Sequence, residues 1–85
     1  MTAQDKLDQL VEIAKTLGVT VRYESMGGSG GGLCKLRNKL VLFVDMDADA
    51  LTTYERILLA MADNFDLEPI YLRPEIRQDL ADLRG

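Results

Sequence analysis

The run Gly27-Gly28-Ser29-Gly30-Gly31-Gly32-Leu33-Cys34 places five glycines in six positions directly ahead of the only cysteine in the chain. Glycine gives up more backbone freedom on folding than any other residue. So dense a run is either a loose tip joining two strands or a loop that must pass close to something. Upstream, Val19 to Ser25 alternates, with Val19, Val21 and Tyr23 on one side and Thr20, Arg22 and Glu24 on the other, as in a strand with one wet face. Downstream, Leu33-Cys34-Lys35-Leu36 resumes a strand-like pattern, and Arg37-Asn38-Lys39 makes a turn in which Asn38 tolerates positive φ. Leu40-Val41-Leu42-Phe43-Val44 is apolar on both faces and should be the central, best-buried strand.

Helices flank this block. Leu7, Leu10, Val11, Ala14 and Leu17 recur at three- and four-residue spacings, which predicts a helix from Thr2 to Leu17 that opens on Thr2 and Asp5 and stops at Gly18. A second helix is expected over about Ala50 to Asn64, with Leu51, Tyr54, Ile57, Leu58, Met61 and Phe65 as its buried stripe and Asp47 or Asp49 as its cap. Ile70-Tyr71-Leu72 reads as a short extended piece. Pro74 suits the first turn of a last helix running to about Leu83, with Ile76, Leu80 and Leu83 inward. The order α-β-β-β-α-α predicts an α+β fold: a three-stranded antiparallel meander with helices packed on one face. Residues 1–85 form one domain without repeat or linker.

Composition narrows the chemistry. A 47 % hydrophobic content suffices for a core, though a domain of 85 residues buries a thin one. The net charge of −4 and pI near 4.6 argue against nucleic acid, since phosphate backbones are bound by clustered Lys and Arg. A single cysteine allows no internal disulfide and points to a reducing cytoplasm. The N-terminus lacks the basic-then-apolar order of a signal peptide, and no apolar run is long enough to span a bilayer, so a soluble cytoplasmic protein without membrane contact is expected. There is no histidine, which excludes Ser-His-Asp and Cys-His catalysis and His-ligated zinc within the chain. No metal or other cofactor is expected.

Three stretches have spacings that approach known motifs. Gly27 and Gly32 have the separation of a phosphate-binding P-loop, but Leu33 and Cys34 stand where Lys and Ser or Thr belong. Gly28-Ser29-Gly30-Gly31-Gly32 fits G-x-G-x-G, yet a strand follows where that motif needs a helix, so a flexible hairpin loop is the expectation. Cys34 reads as a half-buried strand cysteine: Lys35 lies on the opposite face, and Leu40 occupies the place of the arginine in a Cys-x₅-Arg phosphatase loop. Asp45-Met46-Asp47-Ala48-Asp49 resembles the start of a calcium loop but has Ala50 for the central glycine and Arg56 for the final glutamate. Helix capping and solvation account for these aspartates.

With its glycine-rich segment before Leu33-Cys34-Lys35-Leu36, an apolar strand ending in Val44-Asp45, and Tyr71-Leu72-Arg73-Pro74 near the close, the chain resembles a group of small bacterial proteins of unknown function. Its layout up to the second helix also resembles the core of zincin-like metallopeptidases. There the helix after the sheet carries H-E-x-x-H; Tyr54-Glu55-Arg56-Ile57-Leu58 keeps only the glutamate, so zinc binding is not implied.

The expected function is a non-catalytic interaction module that self-associates, as a two-fold dimer, because a thin core leaves apolar surface and strand edges to cover. The alternative is a small enzyme or ligand-binding protein using Cys34 and the Gly27–Gly32 loop, with Gly28, Gly30, Cys34, Tyr23 and Glu55 as candidate ligand-binding residues. A third reading is an acidic regulator of a basic partner protein.

Overall fold

A computed structural model describes residues Met1–Gly85. Helix α1 spans Ala3–Thr16 and opens on a reciprocal cap: the Thr2 hydroxyl accepts from the Asp5 amide and the Asp5 carboxylate accepts from the Thr2 amide, both at 3.1 Å. Strands β1 (Thr20–Glu24), β2 (Gly31–Leu36) and β3 (Lys39–Asp45) follow, then α2 (Ala50–Asn64) and α3 (Pro74–Arg84). Asp49 rather than Asp47 caps α2, accepting from the Thr52 amide at 2.7 Å. Ile70-Tyr71-Leu72 joins no sheet; Arg77 of α3 ties this segment down by donating to the carbonyls of Leu67 and Ile70.

The fold is α+β, but the sheet is mixed and the expected antiparallel meander is not formed. Its strand order is β1-β3-β2, with β2 antiparallel to β3 and β1 parallel to β3. Only the β2–β3 connection is a hairpin. The glycine-rich segment is therefore not a hairpin loop: it carries the chain from β1 across the end of β3 to the far edge of the sheet. The physical reason lies in β3. A strand apolar on both faces gains most from flanking strands on both sides, and a meander would have given the middle place to β2.

Register sorts the residues between two faces. Val21, Leu42 and Leu33 align, as do Tyr23, Val44 and Gly31. Leu42 and Val44 join Leu10, Ala14, Ile57, Leu58 and Met61 of α1 and α2 in the core, and the partly buried Val21, Leu33 and Leu40 pack against it. The other face carries Thr20, Val41 and Cys34 in one row and Arg22 and Phe43 in the next. No helix covers it; instead the Arg22 guanidinium lies 5.8 Å from the centre of the Phe43 ring. The expected helical stripes are buried, except that Leu51 of α2 is exposed and Leu17, Phe65 and Leu83 are half-buried.

The β2–β3 turn holds both Arg37 (φ 51°) and Asn38 (φ 66°) in the left-handed region. Two-residue hairpins favour Asn-Gly for this geometry, and an arginine there is strained. Replacing Arg37-Asn38 by Asn-Gly is expected to raise stability by about 1 kcal/mol in denaturant unfolding, with an unchanged slope. A loss of stability would show that Arg37 makes an interaction that outweighs the strain.

Candidate functional site

The end of the sheet where β1 and β3 finish is organised by one carboxylate. Asp45 is the last residue of β3 and only 2 % exposed. Its Oδ1 accepts from the amides of Met26 (3.0 Å) and Asp47 (2.9 Å), and its Oδ2 from those of Gly28 (2.8 Å) and Gly30 (3.0 Å). A buried charge is tolerated when hydrogen bonds replace its lost hydration, and four amides do so here. Burial pushes this carboxyl's pKa up, but the amides of Gly30, Asp47, Met26 and Gly28 together outweigh that push and hold it below the usual 3.8. Asp47 completes the wrap, accepting from the Ser25 hydroxyl and the Gly27 amide. The three aspartates of 45–49 thus do separate work: two hold the loop and one caps α2. No group of three Asp, Glu or Cys side chains converges as a metal site.

Two glycines of the loop are crowded where a side chain would stand, Gly31 against backbone and Gly30 against the Arg56 side chain. A Cβ on Gly31 (φ +93°) would lie 2.0 Å from the Phe43 carbonyl oxygen, and one on Gly30 (φ +100°) would lie 2.9 Å from Arg56 Cγ. At Gly31 the backbone must approach β3 closely, and the amides of Gly27, Gly28 and Gly30 are held by Asp47 and Asp45, so the run is an anchored loop and not a loose tip.

Beside this knot a cleft of about 270 Å³ opens between α1, the ends of β1 and β3, and the start of α2. Leu7, Val11 and Val44 form its apolar wall, with Gln4, Asp8 and Tyr23 among its polar lining. Thr53 also lines it; its hydroxyl is buried and has no hydrogen-bond partner. Around the same end stand four large exposed apolar side chains: Tyr23 (56 %), Met26 (40 %), Met46 (67 %) and Leu51 (54 %).

Among the residues singled out from sequence, Gly28 and Gly30 donate their amides to Asp45, and Tyr23 borders the cleft. Cys34 does not join them. It sits mid-β2 on the helix-free face and is exposed, not half-buried as expected. Glu55 is half-buried on α2 outside the cleft lining. Sequence reasoning missed Asp45 as the organising group and Thr53 as a cleft residue. The signal available for Asp45 was its place at the end of the most apolar strand, where burial is the rule.

It also missed a second polar cluster. Asp79 of α3 accepts from the Tyr54 hydroxyl of α2 at 2.6 Å and from Lys6 Nζ of α1 at 2.7 Å. Lys6 also lies 5.6 Å from the centre of the Tyr54 ring. Burial, then Asp79, raises the Tyr54 phenol above its ordinary 10. Burial would raise the Asp79 carboxyl too, but the Lys6 and Tyr54 bonds hold it below the usual value. The cluster ties three helices together.

Substitution tests both arrangements. In Asp45→Asn, whichever way the amide turns, its NH₂ faces two amide donors. Asp45→Asn should therefore lower the melting temperature well beyond Asp47→Asn. The depressed Asp45 carboxyl stabilises the fold in full above its unfolded value of about 4, and that contribution is lost as pH falls through the lower folded value. Asp45→Asn should flatten the acid limb of the stability–pH curve below about pH 4; an unaltered limb would refute the role. Gly31→Ala is expected to cost more than about 3 kcal/mol in chemical denaturation, and Asp79→Ala about 2 kcal/mol.

No family model, curated protein or solved structure matches the chain.

Proposed function

We propose that the protein is a non-catalytic interaction module that pairs with a second copy of itself through the end of the sheet built around Asp45. The reading rests on the gathering of Tyr23, Met26, Met46 and Leu51, all substantially exposed, about one anchored loop. Scattered single apolar residues are ordinary on a surface, but a group of them rimming one feature marks a contact site. Three of the four are flexible, and methionine in particular adapts to an opposing surface. The loop between them presents glycine backbone held by Asp45 and Asp47, so little further ordering is needed on association. A second copy fits the requirement because a small domain with a thin core gains by covering apolar surface, and a two-fold axis sets the same patch against itself.

Catalysis finds less support. Cys34, the one soft nucleophile, lies on the helix-free face, and Glu55 stands outside the cleft. Neither faces Tyr23 across a shared cavity.

Light scattering at tens of micromolar protein should give the mass of two chains. Leu51→Glu places an acid in the first turn of α2, where the helix dipole favours it, so this variant keeps its fold. It should weaken association roughly tenfold or more, whereas Cys34→Ser should leave it unchanged. A monomeric wild-type chain at those concentrations would refute self-association.

A further inference from the structure

We propose that the cleft beside Asp45 binds a small amphiphilic amine, with its apolar body against Leu7, Val11 and Val44 and its ammonium head drawn to Asp8 and Thr53. The cleft shares Tyr23 and Met46 with the margin proposed for self-association, so amine binding and pairing compete, and the Leu51→Glu chain is titrated beside the wild type to separate the two. The proposal starts from Thr53, which is 1 % exposed, lines the cleft, and carries a hydroxyl without any hydrogen-bond partner. Buried polar groups in native proteins are almost always satisfied, and a threonine on a helix can bond a carbonyl one turn back. Thr53 does not, although valine would fill nearly the same volume without an orphaned hydroxyl. The oxygen is closed to solvent, so a partner from outside the chain meets it once the Thr53 side chain turns its hydroxyl toward the cleft that it lines.

The charges select the kind of partner. The cleft lining contains Asp8 and Asp45 and no lysine or arginine. Asp45 is committed, since each of its oxygens already takes two amides. Asp8 is not: its Oδ1 accepts from Gln4 Nε2 at 2.8 Å, its Oδ2 takes no bond from the protein, and it pairs with no cation. The uncommitted charge is thus negative and lies beside an apolar wall. That combination repels carboxylates and phosphates and attracts a cation with an apolar body. The volume of about 270 Å³ exceeds the ~150 Å³ that holds a benzene molecule in an apolar cavity, so a ring bearing a short aminoalkyl arm fits.

Benzylamine is the probe, with benzyl alcohol and benzoate as neutral and anionic controls of similar shape, titrated into the full chain by amide chemical-shift mapping. Benzylamine should give saturable shifts at Val11, Val44 and Thr53, benzyl alcohol should bind several-fold more weakly, and benzoate should give none. Thr53→Val should weaken benzylamine roughly tenfold while the melting temperature holds or rises, since the variant removes an unpaired hydroxyl. Thr53→Ser should retain binding, and Asp8→Asn should abolish the preference for amine over alcohol. Absence of saturable shifts, benzoate binding as tightly as benzylamine, or a Thr53→Val variant that binds benzylamine like the wild type would each overturn the proposal.

Discussion

The Asp45 carboxylate and its four amide donors are the constraint from which the rest of the sheet follows. Each bond is charge-assisted, in a site nearly closed to water, where such bonds are stronger than neutral ones. Met26, Gly28 and Gly30 come from the loop before β2, and Asp47 from the chain after β3. One side chain thereby fixes the route by which the polypeptide leaves β1, crosses the end of β3 and enters β2 on the far side. Remove those acceptors and the glycines, free to adopt many conformations, have nothing to choose among them. Order in the loop is therefore conferred from beneath, by a residue of another strand.

A division of labour follows between two polar clusters. Asp45 and Asp47 shape the open end of the sheet and set the positions of Met26 and Met46 at its rim. The Lys6–Tyr54–Asp79 cluster works within the helical layer and draws α3 onto α1 and α2. The end of the sheet is left free to present a cleft and an apolar margin because the helices are secured elsewhere.

Much of the fold was legible in the residues. Three-four periodicity located α1, α2 and α3 nearly to the residue, and Thr2 with Asp5 marked the first helix start, because helix signals are local. Leu40 to Val44, apolar on both faces, identified the central strand. Strand order was not legible from adjacency alone: the habit of pairing successive strands suggested a meander, in which the second strand would lie in the middle. The demand of β3 for two neighbours contradicts that order, so burial outranked adjacency. At the site, Asp45 read as one of three similar aspartates, and only the path of the loop distinguishes the acceptor from the cap. Thr53 and Leu51 sit within one turn of α2 but on different faces, and helical spacing could not show which face would be buried: Thr53 is 1 % exposed and Leu51 54 %.

The β1-β3-β2 order also bears on how the chain acquires its shape during synthesis. β1 is made first but pairs only with β3, so as the polypeptide leaves the ribosome its earliest strand has no neighbour until Asp45 has emerged. The β2–β3 hairpin, being local, needs no such wait. Sheet assembly is thus tied to the arrival of the residue whose carboxylate closes the loop.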